Sequence, residues 1–290
     1  MKKNRNIKWS TWPKYDKTNF KALKKTFQKN SLVAWGDKKG LLKNSTVGEL
    51  EKKFSSFVNC RYSKGVGNAT QGLHLALAAL NIKFGDEVIV SVYSFISSAS
   101  CILMQNATPV FVDINEKTLS PNLDCIKKKY TKKTKAIIIT NLFGYAEDLS
   151  EIKNFCKKKK IYLIEDASHA HGSFFKKKHV GTFGDLGVFS FNERKILPAG
   201  DGGMVITNKK HLSNKIYRLR SFGDNDLSYN FRLGELNAAI ALSKLPKLKD
   251  EIKLRKKFAT ILAKKFSNNL LLKVRLPIKN TSCSFYRLIL

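Results

Sequence analysis

The feature that most constrains the fold is an alternation of two patterns from residue 60 onward. Short apolar runs rich in β-branched residues alternate with segments that have helical periodicity. One helix face, for example, is marked by Leu73, Ala76, Leu77 and Leu80. This alternation is typical of parallel strands joined by helices. The sequence therefore predicts an α/β domain on a mostly parallel sheet.

The individual elements follow from the same patterns. Strands are predicted at 88–92, 110–112, 137–140, 161–164, 188–191 and 203–207. Helices are predicted at 96–104, 152–159, 212–220, 233–242 and 247–266. The longest uncharged run, 88–112, contains five Ser together with Gln, Asn, Thr and Pro, so it predicts strand, loop, helix and strand rather than a membrane span.

Charge is the most unusual property of the composition. Lys and Arg number 54 against 22 Asp and Glu, a formal charge of +32 over 290 residues. With 43% hydrophobic residues the chain is nevertheless globular in type, because disordered chains have too few apolar residues to form a core. Since 45 of the cations are Lys, and no basic stripe is interleaved with aromatics, a charged surface is favoured over a nucleic-acid site.

Cysteine usage and the N-terminus bear on location. The five Cys form no C-x-x-C pair, which favours neither a zinc site nor a disulfide framework, so a reducing compartment is expected. The basic N-terminus lacks the apolar stretch of a secretory signal. The sequence predicts a cytoplasmic protein without membrane insertion.

Three regions are predicted along the chain: an N-terminal arm at 1–30, a large domain at 31–245, and a linking helix at 246–290 that leads into a small domain. The last residues, SCSFYRLIL, predict a strand with nothing after it to pair or cover it. Because an unpaired apolar edge is a liability, we expect the C-terminal small domain to be truncated.

The segment GVGNATQGLHLALAAL, residues 65–80, places a glycine-rich turn at the start of an amphipathic helix. Amide groups at a helix N-terminus favour a phosphate. A dinucleotide fingerprint is the alternative, but its third glycine position is Thr70, and Asp86 precedes a strand instead of ending one. A single phosphate group is therefore favoured, although such turns are often only structural.

The segment IYLIEDASHAHG places Asp166 at the carboxyl end of a predicted parallel strand, where open α/β sheets bind ligands. The alternative is an N-cap for a following helix. His169 and His171 are two residues apart and would not share a helix face, so a zinc pair is not favoured.

The segment GVFSFNERKILPAGDGGMVIT holds Ser190 and Lys195 before a glycine-rich turn. A Lys among apolar residues can be a nucleophile toward carbonyl groups, although one exposed Lys among 45 is the simpler interpretation. A phosphate-binding helix start, a strand-end Asp and this Lys are together what a pyridoxal 5'-phosphate (PLP) site requires.

The sequence resembles the DegT/DnrJ/StrS sugar aminotransferases, which are fold-type I PLP enzymes, from about residue 30 to the end. The resemblance rests on these segments, in the family's order: GNATQGLHLAL, GDEVIV with YSFISSAS, ATPVFVDI, TKAIIITNLFGY, IEDASHAHG, FSFNERK with GDGGMVIT, and YNFRLGELNAAI. It implies a central sheet with helices on both faces.

The resemblance also implies roles for residues around the cofactor. Lys195 would form the covalent link to the PLP aldehyde and move the substrate proton. Asp166 would pair with the protonated pyridine nitrogen, and Phe95 would stack on the ring. His169 would lie near the ring hydroxyl.

The phosphate would be held by Ala69, Thr70 and Ser190, as the resemblance implies, and by Asn230 from the neighbouring subunit of a homodimer. The implied activity is transfer of an amino group, with L-glutamate as the expected donor, to a nucleotide-linked keto-sugar in surface polysaccharide or other amino-sugar synthesis. Lys195 argues against the dehydratase branch, which has His there. An inactive or truncated relative acting as a binding partner is the main alternative, and a nucleic-acid-binding protein is a weaker one.

Overall fold

The computed structural model describes residues 11–29, 31–34, 44–116, 118–222, 227–269, 274–277 and 279–287. Its α-helices are α1 (Lys17–Phe27), α2 (Thr46–Val58), α3 (Ala69–Ala79), α4 (Ser97–Met104), α5 (Leu123–Lys129), α6 (Ser150–Lys159), α7 (Lys210–Leu219), α8 (Glu235–Lys244) and α9 (Leu248–Lys265). Its strands are β1 (Tyr62–Val66), β2 (Glu87–Ser91), β3 (Thr108–Val112), β4 (Thr134–Thr140), β5 (Tyr162–Asp166), β6 (Phe174–Phe175), β7 (Lys178–His179), β8 (Leu186–Ser190) and β9 (Gly203–Thr207).

Seven strands form the central sheet, in the order β1-β9-β8-β5-β4-β2-β3. The pairs β2–β3, β2–β4, β4–β5 and β5–β8 are parallel, whereas β9 runs antiparallel to β1 and β8. Strands β6 and β7 form a separate hairpin. The prediction of an α/β fold with a mostly parallel sheet is confirmed.

Helices cover both faces of this sheet because the side chains of each strand alternate in direction. On one face, Val188 of β8 packs in the cluster that contains Leu73 of α3. On the other, Phe189 packs in the cluster that contains Phe54 of α2. Such double burial explains why the strands are continuous apolar runs.

The predicted elements match the observed ones to within three residues at either end, and the run 88–112 forms β2, α4 and β3 as expected. None of the helices among the described residues is both long and apolar enough to cross a bilayer.

The prediction of an uncovered C-terminal strand was wrong for the residues that are described. Residues 281–287 form no regular strand, and they are paired: Cys283 bridges Tyr145, and Thr281 bridges Phe175. The Tyr286 amide also donates to the Phe143 carbonyl at 3.0 Å. These backbone bonds satisfy the polar groups that an edge would expose. Residues 288–290, and 1–10 and 30 of the predicted arm, lie outside the described residues; the division into three regions stays a prediction.

Candidate active site

A cavity of about 720 Å³ opens at the carboxyl ends of β4, β5 and β8, next to the N-termini of α3 and α4. This is where open α/β sheets bind ligands. Seven of the eight residues predicted for the site line this cavity: Ala69, Thr70, Phe95, Asp166, His169, Ser190 and Lys195.

Asp166 is the last residue of β5, and 3% of its surface is exposed. Its Oδ2 accepts a hydrogen bond from Ser98 Oγ at 2.9 Å, and its Oδ1 accepts one from the Ser168 amide at 3.1 Å. A turn, not a helix, follows β5, so the alternative of a helix N-cap was wrong. The carboxylate is held at the edge of the cavity by two donors.

Lys195 lies in the turn after β8 and is half-buried. Burial lowers the pKa of its amine to about 8, the negative charge of Asp166 opposes that shift, and the positive charge of Arg287 adds to it. Its Nζ lies 5.0 Å from the centre of the Tyr286 ring. This lowered pKa increases the fraction of neutral amine near neutral pH, and the neutral amine is the nucleophilic form.

The other end of the cavity is built from two helix N-termini. The Asn68 side chain caps α3 by accepting from the Gln71 amide at 2.9 Å. Thr70 Oγ1 lies 2.7 Å from Ser97 Oγ of α4, so two hydroxyls meet where the positive ends of two helix dipoles converge. This end of the cavity suits an anion.

The glycine turn before β9 has a packing reason here. A Cβ on Gly203 would lie 3.0 Å from the Ala69 amide nitrogen and 2.9 Å from the Phe189 carbonyl oxygen. Glycine therefore lets β9 approach the start of α3 closely. The buried Ser190, at the end of β8, lines the same part of the cavity.

Phe95 and His169 both line the cavity, and they differ in exposure: His169 is buried. Phe95 is 61% exposed. The Phe143 amide donates to His169 Nδ1 at 3.2 Å, and burial lowers the pKa of His169 to about 3, with help from Lys195 and Arg287. His169 is therefore neutral, with its proton on Nε2.

His171 does not share the site of His169. It is fully buried, and its ring centre lies 5.2 Å from that of Phe189. Within the described part of the chain, no three His, Cys, Asp or Glu side chains cluster as a metal site would require.

One wall of the cavity was not predicted. It consists of Tyr286 and Arg287, which the backbone pairing of residues 281–286 brings to the site. The Tyr286 ring stacks on His169 with centres 4.4 Å apart. Local sequence patterns carry no signal for this contact, because the two segments are more than a hundred residues apart.

Asn230 is the predicted site residue that the cavity lining of its own chain does not include. It is exposed and bridges Ser221 through the backbone. The prediction gives Asn230 to the cavity of a partner subunit, so its role stays a prediction.

The sequence is similar to those of known proteins. The profile of the DegT/DnrJ/EryC1/StrS aminotransferase family matches residues 22–289. The GDP-perosamine synthase of Escherichia coli O157:H7 is 37% identical over 234 residues, which cover 78% of this chain and 64% of that protein. The UDP-N-acetyl-3-dehydro-alpha-D-glucosamine 3-aminotransferase of Acidithiobacillus ferrooxidans is 38% identical over 206 residues, or 69% of this chain and 56% of that protein.

The fold is also similar to that of known aminotransferases. The crystal structure of an aminotransferase from Psychrobacter cryohalolentis superposes with a TM-score of 0.88 at 27% identity, covering 96% of this chain and 76% of that one. The chain spans roughly three fifths of the length of the curated relatives it matches, 64%, 61% and 62% for three of them. With the family profile matched over most of its length, the chain belongs to the DegT/DnrJ/EryC1/StrS aminotransferase family.

Proposed function

We propose that the cavity binds PLP and that the protein transfers an amino group from an amino acid, with L-glutamate as the expected donor, to the keto group of a nucleotide-linked sugar. The observation that carries this proposal is the meeting of three groups in one cavity: the amine of Lys195, the carboxylate of Asp166 and the start of α3. These groups match the aldehyde, the pyridine nitrogen and the phosphate of PLP.

The residues present fit this cofactor. The cavity of about 720 Å³ is within the range of small-molecule sites. The phosphate end would be held by Ala69, Thr70 and Ser190, where hydroxyls and helix N-termini favour an anion. When bound, PLP supplies an electron sink for the bonds at the carbon that carries the amino group.

This chain's own residues then have separate tasks. Lys195, as a neutral amine, would form the covalent link to the PLP aldehyde and would move the substrate proton. Asp166 would accept the hydrogen bond of the protonated pyridine nitrogen. Phe95 would stack on the ring, and His169, whose Nδ1 accepts from the Phe143 amide, would lie near the ring hydroxyl.

The nature of the substrate is supported by charge and by relatives. Arg194 and Arg287 line the cavity in addition to Lys195. Among the residues that the structure describes, neither is paired with a carboxylate, so both are available to the carboxylate of an amino acid or the phosphates of a nucleotide. The two curated relatives above are named for a GDP-linked sugar and a UDP-linked sugar. A net charge of +32 would also steer such anions to the protein.

The assembly and its setting belong to the same proposal. A homodimer would place Asn230 of each chain at the phosphate of its partner. Synthesis of amino sugars for surface polysaccharides, in the cytoplasm, is the expected context; all five cysteines are free, which suits a reducing compartment.

A half-reaction tests the proposal. PLP-loaded protein is mixed with L-glutamate or L-glutamine, and the cofactor absorbance is followed as it converts to the pyridoxamine form. Addition of a GDP- or UDP-linked keto-sugar should then restore the original spectrum. If the protein binds PLP but neither amino acid converts the cofactor to the pyridoxamine form, the result would instead support an inactive relative.

A further inference from the structure

We propose that Ser98 is a positioning residue for Asp166: it ends a chain of three hydroxyls that fixes the carboxylate in the orientation needed to hold a pyridine nitrogen. The inference rests on the proposed function. The family resemblance assigns the cofactor contacts to other residues and gives no role to Ser98.

Ser98 makes its contact from the first turn of α4 and is fully buried. Its Oγ donates to Asp166 Oδ2 at 2.9 Å, while the Ser168 amide donates to Oδ1 at 3.1 Å. Each carboxylate oxygen therefore has a donor of its own. Rotation of the carboxylate would break both bonds, so the two donors together fix its plane.

Ser98 is itself held by a second hydroxyl. Ser94 Oγ donates to Ser98 Oγ at 2.9 Å and lies 2.9 Å from Thr140 Oγ1. A hydroxyl has one proton to donate. Since Ser98 uses its proton on Asp166 and Ser94 uses its own on Ser98, Thr140 is the donor in the 2.9 Å contact with Ser94. Thr140 Oγ1 also lies 3.4 Å from Ser98 Oγ, so the three hydroxyls form one cluster.

The result is a one-way chain, Thr140 to Ser94 to Ser98 to Asp166. Successive bonds in such a chain polarise one another, so the last donor to the carboxylate is strengthened. The chain joins the end of β4, the loop before α4 and the first turn of α4 to the end of β5. It thus ties the carboxylate to three other segments at the edge of the cavity.

The orientation of the carboxylate matters for function. A carboxylate held in place by a donor on each oxygen can accept the hydrogen bond of a protonated pyridine nitrogen nearby. If Ser98 served only to pack α4, its replacement would leave the protonation of the pyridine nitrogen unchanged. The proton on the pyridine nitrogen is therefore the readout that separates the two roles.

The test uses the full chain loaded with PLP labelled with ¹⁵N in the ring. We expect the wild-type resonance at the position of a protonated nitrogen. Ser98→Ala should move it toward the unprotonated position and weaken PLP binding about tenfold, the effect of losing one hydrogen bond to a charged group. Ser98→Thr, which keeps the hydroxyl, should restore both values, and Ser94→Ala should have a smaller effect.

Ser63→Ala is the matched control, because Ser63 is also buried and donates to a backbone carbonyl, that of Glu51, away from the cavity. It should leave the resonance unchanged. If Ser98→Ala fails to fold, Ser98→Cys keeps the size with a weak donor and should give an intermediate shift.

A wild-type resonance in both Ser98→Ala and Ser98→Cys would overturn the inference and leave the proposed function intact. Wild-type protein that takes up no PLP would overturn the proposed function first, and the inference with it.

Discussion

The two sides of the cavity are built in different ways. The sheet-edge side, defined by Asp166, Ser98 and Ser190, comes from strand and helix ends, is buried, and is held by side-chain hydrogen bonds. The terminal wall is defined by Tyr286, which is half-buried, and Arg287, which is exposed, and it is held through the backbone of its own segment. The first arrangement fixes a functional group in place, whereas the second leaves the Arg287 side chain exposed, where it can meet a substrate.

We expect the two sides of the cavity to have different functions. Groups on the sheet-edge side should determine how the cofactor is bound and how its ring is charged. Groups on the terminal wall should determine which anionic substrate is accepted. Variants on the two sides should therefore fail in different measurements.

The largest effect is expected for Lys195→Ala. The variant loses both the covalent link and the group that moves the substrate proton, and proton transfer alone contributes about 10²–10⁴-fold. Conversion of the cofactor by L-glutamate, followed by absorbance in a stopped-flow instrument, should be slower by at least that factor. A matched Lys177→Ala, on the exposed β6–β7 turn, should convert at the wild-type rate.

Asp166→Asn should be the next most severe change. The amide keeps the size of the side chain but removes the charge that keeps the ring nitrogen protonated. We expect retained PLP binding with turnover reduced by about 10²-fold or more, the cost of removing a main electrostatic group. Turnover close to that of the wild type would show that Asp166 only terminates β5.

Arg287→Gln should affect the substrate and spare the cofactor. Losing a hydrogen bond to a charged group is worth about 10- to 100-fold. We expect the KM for the amino donor to rise by that factor in the half-reaction, with PLP affinity unchanged. If only the KM for the nucleotide-linked sugar rises, Arg287 binds phosphate instead. Arg61→Gln, exposed and outside the cavity lining, is the control.

The smallest effect, and the finest comparison of the two sides, is on the pKa of Lys195. Competitive acetylation of the cofactor-free protein, read by mass spectrometry of the Lys195 peptide, should follow the neutral amine and rise through about pH 8. Asp166 raises this pKa, so Asp166→Asn should move the midpoint to lower pH. Arg287 lowers it, so Arg287→Gln should move the midpoint to higher pH. Shifts of the same sign would contradict the opposing placement of the two charges.

The same difference decides what could be predicted from the sequence. Asp166 was predictable because it follows the apolar strand predicted at 161–164, and the order of such strands fixes one sheet edge. Ser190 lies inside the strand predicted at 188–191, so its place at the cavity was implied by the family resemblance. The start of α3 was predictable from the glycine turn that precedes it. The glycine turn before β9 is needed as well, because a Cβ on Gly203 would lie 3.0 Å from the Ala69 amide nitrogen. The alternation of strands and helices thus carried both the fold and this side of the site.

The terminal wall could not be predicted in this way. Tyr286 reaches His169 because the Ser284 and Tyr286 amides donate to the carbonyls of Gly144 and Phe143, more than a hundred residues earlier. A Cβ on Gly144 would lie 2.5 Å from Ser284 Oγ, so the approach depends on glycine there. Ser98 was missed for a different reason: one Ser among several in YSFISSAS gives no sign of which hydroxyl faces Asp166.

We expect PLP to be held at the sheet-edge side of the cavity, with Lys195, in the turn after β8, as its covalent link. The most direct measurement is borohydride reduction of the PLP-loaded protein, followed by proteolysis and mass spectrometry of the labelled peptide. The account predicts one pyridoxyl group, on Lys195, in the peptide between Arg194 and the glycine turn. A pyridoxyl group on any other Lys, with Lys195 unmodified, would contradict it.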